Sequence, residues 1–325
     1  MKEDIFLSLI KEELPESADY IRDDTAYISE KDLILTQDTL IEDIHFRMRT
    51  ISPFYLGRKS VAVNLSDIAA AGGIPSYILI SLSMPKNINE DFVKEFYKGV
   101  SSICREYGVL VVGGDLTAAE KITISVCAIA TGNGLTPANR RNAKVGDVVI
   151  IAGKCGSSTA GLYLLENKLD IPKEIRTKFI EAHVNPVPQV EEGRKILEAA
   201  GKPAMMDLSD GLADALYKIC GLNRVSMEIE FDKIPCDSDV YKVFSDENSA
   251  NNAILFGGED YALLATVSAE VYEKLKTEHF VNSVKAIGLV KKTDTEPCAY
   301  VKFKDGNLMK INSATLDSNV FKHFE

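Results

Sequence analysis

Acidic residues recur in this sequence at the ends of apolar segments, next to Gly, Ser and Thr. The six positions are Asp23-Asp24-Thr25, Thr36-Gln37-Asp38-Thr39, Asn64-Leu65-Ser66-Asp67, Gly113-Gly114-Asp115, Asp207-Leu208-Ser209-Asp210-Gly211 and Gly257-Gly258-Glu259-Asp260. Oxygen ligands of this kind suit hard divalent cations. One such position carries little weight, because Asp also favours turns and helix starts. Six of them suggest that the carboxylates share one metal cluster.

The first two positions predict a pair of strands that carry carboxylates at their ends. Residues 25–29 and 33–36 flank a polar turn, which is the pattern of a β-hairpin. Asp23, Asp24 and Asp38 would then lie at neighbouring strand ends, where they repel one another unless metal or protons intervene. Ordinary turn residues would give the same pattern, so this segment alone leaves both interpretations open.

Two further positions add polar groups to apolar segments. Asn64 and Asp67 share one face of a predicted helix whose other residues are small and apolar, which favours a site over a solvent-facing stripe. The paired glycines before Asp115 would let backbone N–H groups approach a phosphate, and Asp115 would add a metal ligand. The alternative is a glycine turn that ends the apolar strand 109–112.

A comparable junction between strand and helix lies in the second half. Ser209 is placed to cap a helix predicted over 209–220, and Asp207 and Asp210 flank its positive end. Capping accounts for one acidic residue near a helix start, whereas a bound metal accounts for both. The glycine-rich stretch 153–159 lacks the Gly-Lys-Ser/Thr ending of a Walker A loop, so any ATP would bind without a P-loop.

The elements that position these residues predict an α+β protein in two halves. The first half is predicted as β-β-α-β-α-β-β, with a helix that Ser52 caps and Gly72 ends. The second half combines further strands and helices. Turn residues and basic residues replace the regular pattern at 136–141, so we predict domains at 1–138 and 139–325.

Composition is that of a globular protein and limits the choice of partners. The 325 residues are 46% hydrophobic and 26% charged, and the formal net charge of −11 argues against a nucleic-acid partner. The six cysteines form no Cys-x-x-Cys pair and the first residues lack a signal-peptide pattern, so we expect a reducing, cytoplasmic location. The most apolar region, 61–84, contains polar residues and proline, so we expect no membrane span.

An ordered set of motifs covers nearly the whole chain. It comprises DDTAYI (23–28), LTQDTLIEDIHF (35–46), VAVNLSDIAAAGG (61–73), VVGGDLT (111–117), the stretch 140–147, MDLSDGL (206–212), FGGEDYALL (256–264) and FKHF (321–324). With this set the sequence resembles the thiamine-monophosphate kinase family, in the PurM-like superfamily of aminoimidazole ribonucleotide synthetase. Each motif is modest alone, and their order makes the resemblance specific.

The resemblance implies ATP-dependent phosphorylation of thiamine monophosphate to thiamine diphosphate by direct in-line transfer of the γ-phosphoryl group. It implies several Mg²⁺ ions, because two polyanions must be neutralised before they can meet. The implied fold is a two-domain PurM-like fold, with an N-terminal domain that forms a homodimer through its sheet. A C-terminal α/β domain would complete the active site. No nucleic-acid or membrane partner is implied.

The resemblance also implies roles for particular residues. The implied metal ligands are Asp24, Thr36, Gln37, Asp38, Asp67, Asp115, Asp207 and Asp210, of which Asp38, Asp115 and Asp210 form the catalytic set. The implied ATP contacts are Tyr97, Gly114, Asp115, Arg140 and Ser209. The implied contacts to thiamine monophosphate are His45, Glu259 and Phe321. Without the resemblance, a solitary histidine such as His45 is more often a structural hydrogen-bonding residue.

Three departures and two alternative functions accompany this interpretation. Arg22 stands where the family usually has Gly, Gln37 stands where Thr or Ser is typical, and Ser157 replaces a frequent acidic residue. The alternatives are a ligase or dehydratase of the same superfamily and a nucleotide-binding paralogue without catalysis. The nearly complete set of predicted ligands argues against the paralogue. The first cysteine, Cys104, and the final residue, Glu325, disfavour a selenophosphate synthetase and a hydrogenase-maturation relative, respectively.

Overall fold

The computed structural model describes residues 2–21, 23–277, 284–293 and 295–320. It contains a five-stranded sheet in the first half of the chain and a seven-stranded sheet in the second, each packed against helices. The predicted α+β class is confirmed. Within these described ranges, no helix is both long and apolar enough to cross a membrane.

Five strands form the first sheet: β1 (Ala26–Ile28), β2 (Leu33–Ile41), β3 (Ile74–Met84), β4 (Leu110–Ala118) and β5 (Thr123–Thr131). Their order is β1-β2-β5-β3-β4, and all neighbours are antiparallel except β3 and β4. Helix α1 (Lys2–Glu13) precedes this sheet, and α2 (Pro53–Ala71) and α3 (Glu90–Tyr107) connect its strands. Strand β2 therefore has one face towards α2 and an opposite face that the helices leave open.

Helix α2 forms where the sequence predicts it. The Ser52 side chain accepts a hydrogen bond from the Tyr55 backbone N–H at 3.4 Å, and Pro53 occupies the first turn. Gly72 ends the helix in the left-handed conformation, with φ at 68°. These local signals fix both ends of the helix that carries Asn64 and Asp67.

Strand β4 is longer than the sequence predicts. The sequence predicts that the glycine pair before Asp115 ends a strand, but β4 continues to Ala118 in parallel with β3. A Cβ atom on Gly114, whose φ is 150°, would lie 1.8 Å from the carbonyl oxygen of Ile80. Glycine is therefore required here for close packing of two strands. The alternative of a glycine turn that ends the strand at residue 112 is therefore wrong, and Gly114 and Asp115 lie within an edge strand.

Seven strands form the second sheet: β6 (Val148–Ala152), β7 (Ala204–Asp207), β8 (Val225–Glu230), β9 (Leu263–Val267), β10 (Val284–Lys292), β11 (Ala299–Lys302) and β12 (Leu308–Ile311). Their order is β12-β11-β8-β10-β6-β9-β7. The helices of this half are α4 (Ser157–Glu166), α5 (Lys173–Val184), α6 (Val190–Ala200), α7 (Leu212–Asn223), α8 (Val240–Val243), α9 (Glu247–Phe256), α10 (Ala269–Thr277) and α11 (Ser313–Asn319).

Helix α7 begins later than the sequence predicts. It starts at Leu212, after Gly211 with φ at 101°, so Ser209 is not its cap. The Ser209 hydroxyl instead donates to Asp207 Oδ1 at 3.2 Å, and its carbonyl oxygen accepts from the Glu259 backbone N–H at 2.7 Å. The segment between β7 and α7 is thus a loop held by side-chain and cross-strand hydrogen bonds.

Helix α2 joins the two halves of the molecule. Its Ala69 and Ala70 are fully buried and belong to one apolar cluster with Ile150, Leu197 and Met205 of the second half. The helix also contacts β2 on one side and β7 on the other. This packing brings polar residues of β2, α2 and the end of β7 together.

Candidate active site

Three carboxylates from separate parts of the chain converge where the two halves meet. Asp24 precedes β1, Asp67 lies on α2, and Asp207 is the last residue of β7. Each offers an oxygen, and the three oxygens all lie within 4.8 Å of one another. Asp207 is buried and the other two are partly buried. Groups of the same charge are therefore held close together and largely away from water.

Hydroxyl groups position two of these carboxylates. Thr36 on β2 donates to Asp67 Oδ2 at 2.5 Å. Ser66 on α2 donates to Asp207 Oδ2 at 2.8 Å, a contact that crosses between the two halves. The Asp67 contact involves only Oδ2, whereas Oδ1 of Asp207 also accepts a hydrogen bond from the Ser209 hydroxyl at 3.2 Å.

Asp38 extends the acidic group along β2. It lies two residues after Thr36, on the same face of the strand, and its backbone N–H donates to Asn64 Oδ1 at 3.0 Å. Burial raises the pKa of Asp38 to about 6, with repulsion from Asp24 and Asp210 adding to the effect. Asp38 therefore belongs electrostatically to the same group.

Four carboxyl groups of this region have raised pKa values. Burial is the largest cause for Asp23, Asp38, Asp67 and Asp207, and repulsion from neighbouring carboxylates adds to it. The pKa of Asp207 rises to about 7 and the pKa of Asp23 to about 6, in both cases through burial and then repulsion from Asp24. Burial and repulsion from Asp207 hold the pKa of Asp67 well above its ordinary value. These groups can be ionised together only when positive charge is supplied.

Arg140 supplies part of that charge. Its guanidinium donates to the Asp24 carboxylate, and its backbone N–H lies 3.2 Å from both carboxylate oxygens of Asp23. Burial lowers the pKa of Arg140, but attraction to Asp24 and Asp23 outweighs it and raises the pKa. One guanidinium does not balance all the carboxylates around it.

Asp210 lies at the open side of the cluster. Its side chain is 51% exposed, and Lys218 Nζ lies 3.3 Å from its Oδ2. The same ammonium lies 2.7 Å from Oδ2 of the buried Asp214. Asp210 can therefore be reached from solvent while it remains near the buried carboxylates.

The donor set fits a hard divalent cation such as Mg²⁺. Mg²⁺ binds carboxylate, phosphate and water oxygens, and usually uses only a few protein ligands at each ion. The raised pKa values indicate that the chain's own cations leave negative charge unbalanced here. Asp24, Asp67 and Asp207 could hold such an ion, with Asp38 and Asp210 at the margin.

Three of the predicted residues lie away from this cluster within the same chain. The Gln37 side chain is exposed, on the opposite face of β2 from Asp38. Gly114 and Asp115 lie on the exposed edge strand β4. Three strand spacings separate β4 from β2, which is about 14 Å. Asp115 therefore cannot share an ion with Asp38 of its own chain.

Of the two aromatic residues predicted to contact substrates, the structure describes Tyr97 but not Phe321. Tyr97 lies on α3, partly buried, with its ring edge-on to Phe96 at a centroid distance of 5.3 Å. Burial raises the pKa of the Tyr97 hydroxyl. Phe321, like the departure at Arg22, lies outside the described residues.

A second group of buried charges surrounds Glu259. Lys59 on α2 is 1% exposed, and its Nζ lies 2.9 Å from Glu259 Oε1. His183 on α5 places Nδ1 3.6 Å from Glu259 Oε2 and 3.0 Å from the Ser158 hydroxyl. Burial raises the pKa of Glu259, but attraction to Lys59 and His183 outweighs it and leaves the pKa below its ordinary value. Burial and then repulsion from Lys59 lower the pKa of His183 to about 4.

His45 and Asp260 flank Glu259 in different ways. His45 Nδ1 accepts a hydrogen bond from the Ile41 backbone N–H at 2.9 Å. Burial is the largest influence on the pKa of Glu259 and raises it, whereas attraction to Lys59, to His183 and, more weakly, to His45 lowers it. Asp260 accepts from the backbone N–H groups of Gly156 at 2.6 Å and Ser158 at 2.8 Å. Asp260 thus holds the start of α4, whereas His45 lies near enough to Glu259 to affect its pKa.

The sequence motifs did not single out several residues that shape the site. Ser66 lies inside a quoted motif, but its partner Asp207 is 141 residues away. Lys59 offers one signal, because a charged residue so close to the apolar run of α2 requires a partner. No local pattern indicates a functional role for His183, because the sequence around it is typical of an ordinary amphipathic helix.

Comparison with known proteins agrees with the observed fold. The family model described as AIR synthase related protein, N-terminal domain, matches residues 22–132. The thiamine-monophosphate kinase of Bacillus subtilis is 38% identical over 248 residues, which cover 75% of each chain. The kinase of that name from Aquifex aeolicus is 36% identical and covers 80% of this chain and 84% of its own. The solved structure "AaThiL complexed with AMPPCP and TMP" has a TM-score of 0.81 at 32% identity, and covers 94% of this chain and 95% of that chain.

The fold and the carboxylate site first define a two-domain enzyme of the PurM-like class. Identity above 30% over more than two thirds of the chain then identifies the family within that class. The chain belongs to the thiamine-monophosphate kinase family, so the resemblance predicted from the motifs is confirmed.

Proposed function

We propose that this chain transfers the γ-phosphoryl group of ATP to thiamine monophosphate, with magnesium as the metal. The observation that carries the proposal is the convergence of Asp24, Asp67 and Asp207 from both halves of a chain of this family. A structure similar over 94% of this chain is described as a complex with AMPPCP and TMP, which supports an ATP-like donor and this acceptor.

The transfer proceeds directly between the two substrates. The bond between the γ-phosphorus and the bridging oxygen of ATP breaks, and a new bond forms to a phosphate oxygen of thiamine monophosphate. The products are ADP and thiamine diphosphate. The attacking phosphate oxygen is already ionised at neutral pH, so the step requires charge neutralisation and alignment more than a general base.

The residues of the cluster hold the two phosphate chains in place. Bound magnesium would supply the positive charge that lets two polyanions approach each other. Its proposed carboxylate ligands are Asp24, Asp38, Asp67, Asp207 and Asp210. Thr36 orients Asp67 and can offer its own oxygen, and Gln37 could contribute only its backbone carbonyl. Arg140 and Ser209 are proposed to contact the ATP phosphates.

The acceptor is proposed to lie on the side of Glu259. Glu259 and His45 would contact thiamine monophosphate, and the anionic Glu259 suits a substrate whose ring system is cationic and carries an amine. Phe321 would stack on a ring, and Tyr97 would lie near the adenine of ATP. These four assignments rest on the family motifs together with the charge state of Glu259.

A second copy of the chain is proposed to complete the site. The open face and free edge of the first sheet expose apolar side chains, among them Tyr77 at 46%, Leu110 at 63% and Val112 at 54%. Exposed apolar edge strands favour pairing with another chain. Asp115 on this edge, with Gly114 beside it, would then act in the site of the partner subunit.

Domain extents and location complete the proposal. Residues 1–138 would form the dimerising domain and 139–325 the domain that closes the site, which the assignment of their strands to separate sheets supports. The chain would act in the cytoplasm, where ATP is available.

The function is tested by incubating the purified chain with ATP, Mg²⁺ and thiamine monophosphate and separating the products. We expect thiamine diphosphate and ADP in equal amounts, and no product in EDTA. The Asp210→Asn variant should remain folded and lose turnover. A folded wild-type protein that forms no thiamine diphosphate would disprove the proposal.

The shared site is tested by mixing two inactive variants, Asp115→Asn and Asp207→Asn, after dissociation and reassociation. If Asp115 acts across a dimer interface, half the dimers are mixed and each has one intact site. The mixture should recover about a quarter of wild-type activity. Recovery near zero, with mixed dimers present, would show that Asp115 acts within its own chain or not at all.

A further inference from the structure

Lys59 is a buried cation that the phosphoryl-transfer chemistry does not require. It lies on α2 with 1% exposure, and its Nζ is 2.9 Å from Glu259 Oε1. Removing an ammonium from water costs several kcal/mol, and a well-packed apolar residue at such a position is often neutral or stabilising. Fold stability alone therefore does not explain a lysine here.

Glu259 is held in an unusual conformation at the other end of this ion pair. Its φ of 64° lies in the left-handed region, which is strained for a residue other than glycine. Its backbone N–H donates to the Ser209 carbonyl oxygen at 2.7 Å, beside Asp207 and Asp210. The side chain is 27% exposed, so it can be reached from the open site. The second half of the chain thus fixes the backbone of Glu259, while its carboxylate lies between Lys59 of the first half and His183 of the second.

We propose that Lys59 is a positioning residue that fixes the Glu259 carboxylate for recognition of thiamine monophosphate. The proposal rests on the function proposed above, in which Glu259 contacts this substrate. Lys59 contacts Oε1 and His183 lies near Oε2, so the carboxylate has one defined orientation. The lone pairs that Lys59 leaves free can accept a hydrogen bond from the substrate amine.

This arrangement also sets the charge of the recognition group. Lys59 stabilises the ionised carboxylate, and neutral His183 neither competes with the substrate cation nor neutralises Glu259. The charged and titratable groups that face His183 among the described residues include Lys59 and Glu259. Removing the ammonium would free the carboxylate to rotate and would leave a buried charge without its nearest partner.

The test uses the full-length Lys59→Met variant, with Lys59→Arg as the charge-retaining variant. The matched control is Lys233→Met, since Lys233 forms an exposed ion pair of similar length, 2.7 Å, with Glu230. Calorimetry measures the Kd of thiamine monophosphate and of ATP with Mg²⁺, and steady-state kinetics separates KM from kcat. Lys59→Met should weaken thiamine monophosphate binding at least about tenfold, with the Kd of ATP nearly unchanged. Lys59→Arg should recover part of the loss.

Two results would overturn the assignment. Unchanged affinity for thiamine monophosphate in folded Lys59→Met would show that Lys59 does not position Glu259 for the substrate. An equal loss for both ligands would indicate general damage and a purely structural lysine. If Lys59→Met fails to fold, Lys59→Arg tests the assignment through the two KM values. This variant should raise the KM of thiamine monophosphate more than that of ATP, and an equal change in both would contradict the assignment.

An NMR titration of the His183 ring separates this inference from the proposed function. The ring signal, assigned with His183→Gln, should titrate at a higher pH in Lys59→Met because repulsion from the ammonium is lost. This readout requires no substrate. If wild-type protein forms no thiamine diphosphate, the proposed function fails, while an unchanged titration would independently show that the ion pair does not form.

Discussion

Two buried acidic regions lie side by side in this molecule, and their charges are balanced in opposite ways. In the cluster of Asp24, Asp67 and Asp207, burial and repulsion from neighbouring carboxylates raise the pKa of Asp67 and of Asp207. At Glu259, attraction to Lys59 and His183 outweighs burial and lowers the pKa. In the first region Arg140 balances only part of the negative charge, whereas in the second Lys59 is paired directly with Glu259.

The difference indicates which ligands each region can receive. A cluster of unbalanced carboxylates attracts metal ions, and through them the phosphate groups of a substrate. A carboxylate already paired with a lysine is a weaker metal ligand but a defined hydrogen-bond acceptor for an organic group. One active site can thus hold the phosphates and the organic part of its substrates apart by charge alone.

The largest effect is expected when a carboxylate is removed from the cluster. Asp67→Asn keeps the shape of the side chain but removes a charge that a cation needs, so kcat/KM should fall on the order of 10²–10³-fold. Without metal, the variant should unfold at an equal or higher temperature, because one source of repulsion is gone. Asp91→Asn, at an exposed site on α3, is the control. A variant that is less stable without metal would contradict the repulsion described here.

The next effect concerns magnesium and pH. Because the folded cluster has raised pKa values, of about 6 for Asp38 and about 7 for Asp207, the native state keeps protons that the unfolded chain has released. These groups therefore make the metal-free fold less stable as pH rises from about 4 to about 7. Magnesium binds the ionised form, so it should raise Tm more at pH 8 than at pH 5. An equal increase in Tm at both pH values would exclude these carboxylates as the metal site.

The Glu259 region should show a pH dependence of opposite sign. The pKa of His183 is lowered to about 4, so its contribution to stability is present above pH 6.5 and is lost as pH falls towards 4. His183→Gln removes this dependence. As pH falls from 8 to 5, the unfolding free energy of the variant should rise by about 2 kcal/mol relative to that of wild type. Urea denaturation in EDTA measures this difference. A constant difference would show that His183 is not buried beside Lys59.

Local signals allowed much of the scaffold to be predicted from sequence. The cap at Ser52 and the end at Gly72 define α2, and with them the shared face of Asn64 and Asp67. The quoted motifs were sufficient to identify the family. These features depend on neighbours within a few residues, which is the range over which caps and turns act.

Features that depend on distant pairing were not predictable in the same way. The glycines before Asp115 are typical of a turn, but they pair with β3, so β4 continues past them. Lys59 and Glu259 are 200 residues apart, and only the packing of α2 between the halves brings them together. Likewise, the distance between Asp115 and the cluster follows from strand order, which no local pattern determines.

The smallest effect tests how far the acidic region extends along β2. Thr36 faces the cluster and donates to Asp67 at 2.5 Å, whereas the Gln37 side chain is exposed on the other face. Thr36→Val removes a hydrogen bond to a buried carboxylate and should lower kcat/KM about five- to tenfold. Gln37→Ala should change kcat/KM less than about twofold, because a backbone carbonyl survives the substitution. A larger loss for Gln37→Ala than for Thr36→Val would mean that the open face of the sheet also contributes to catalysis.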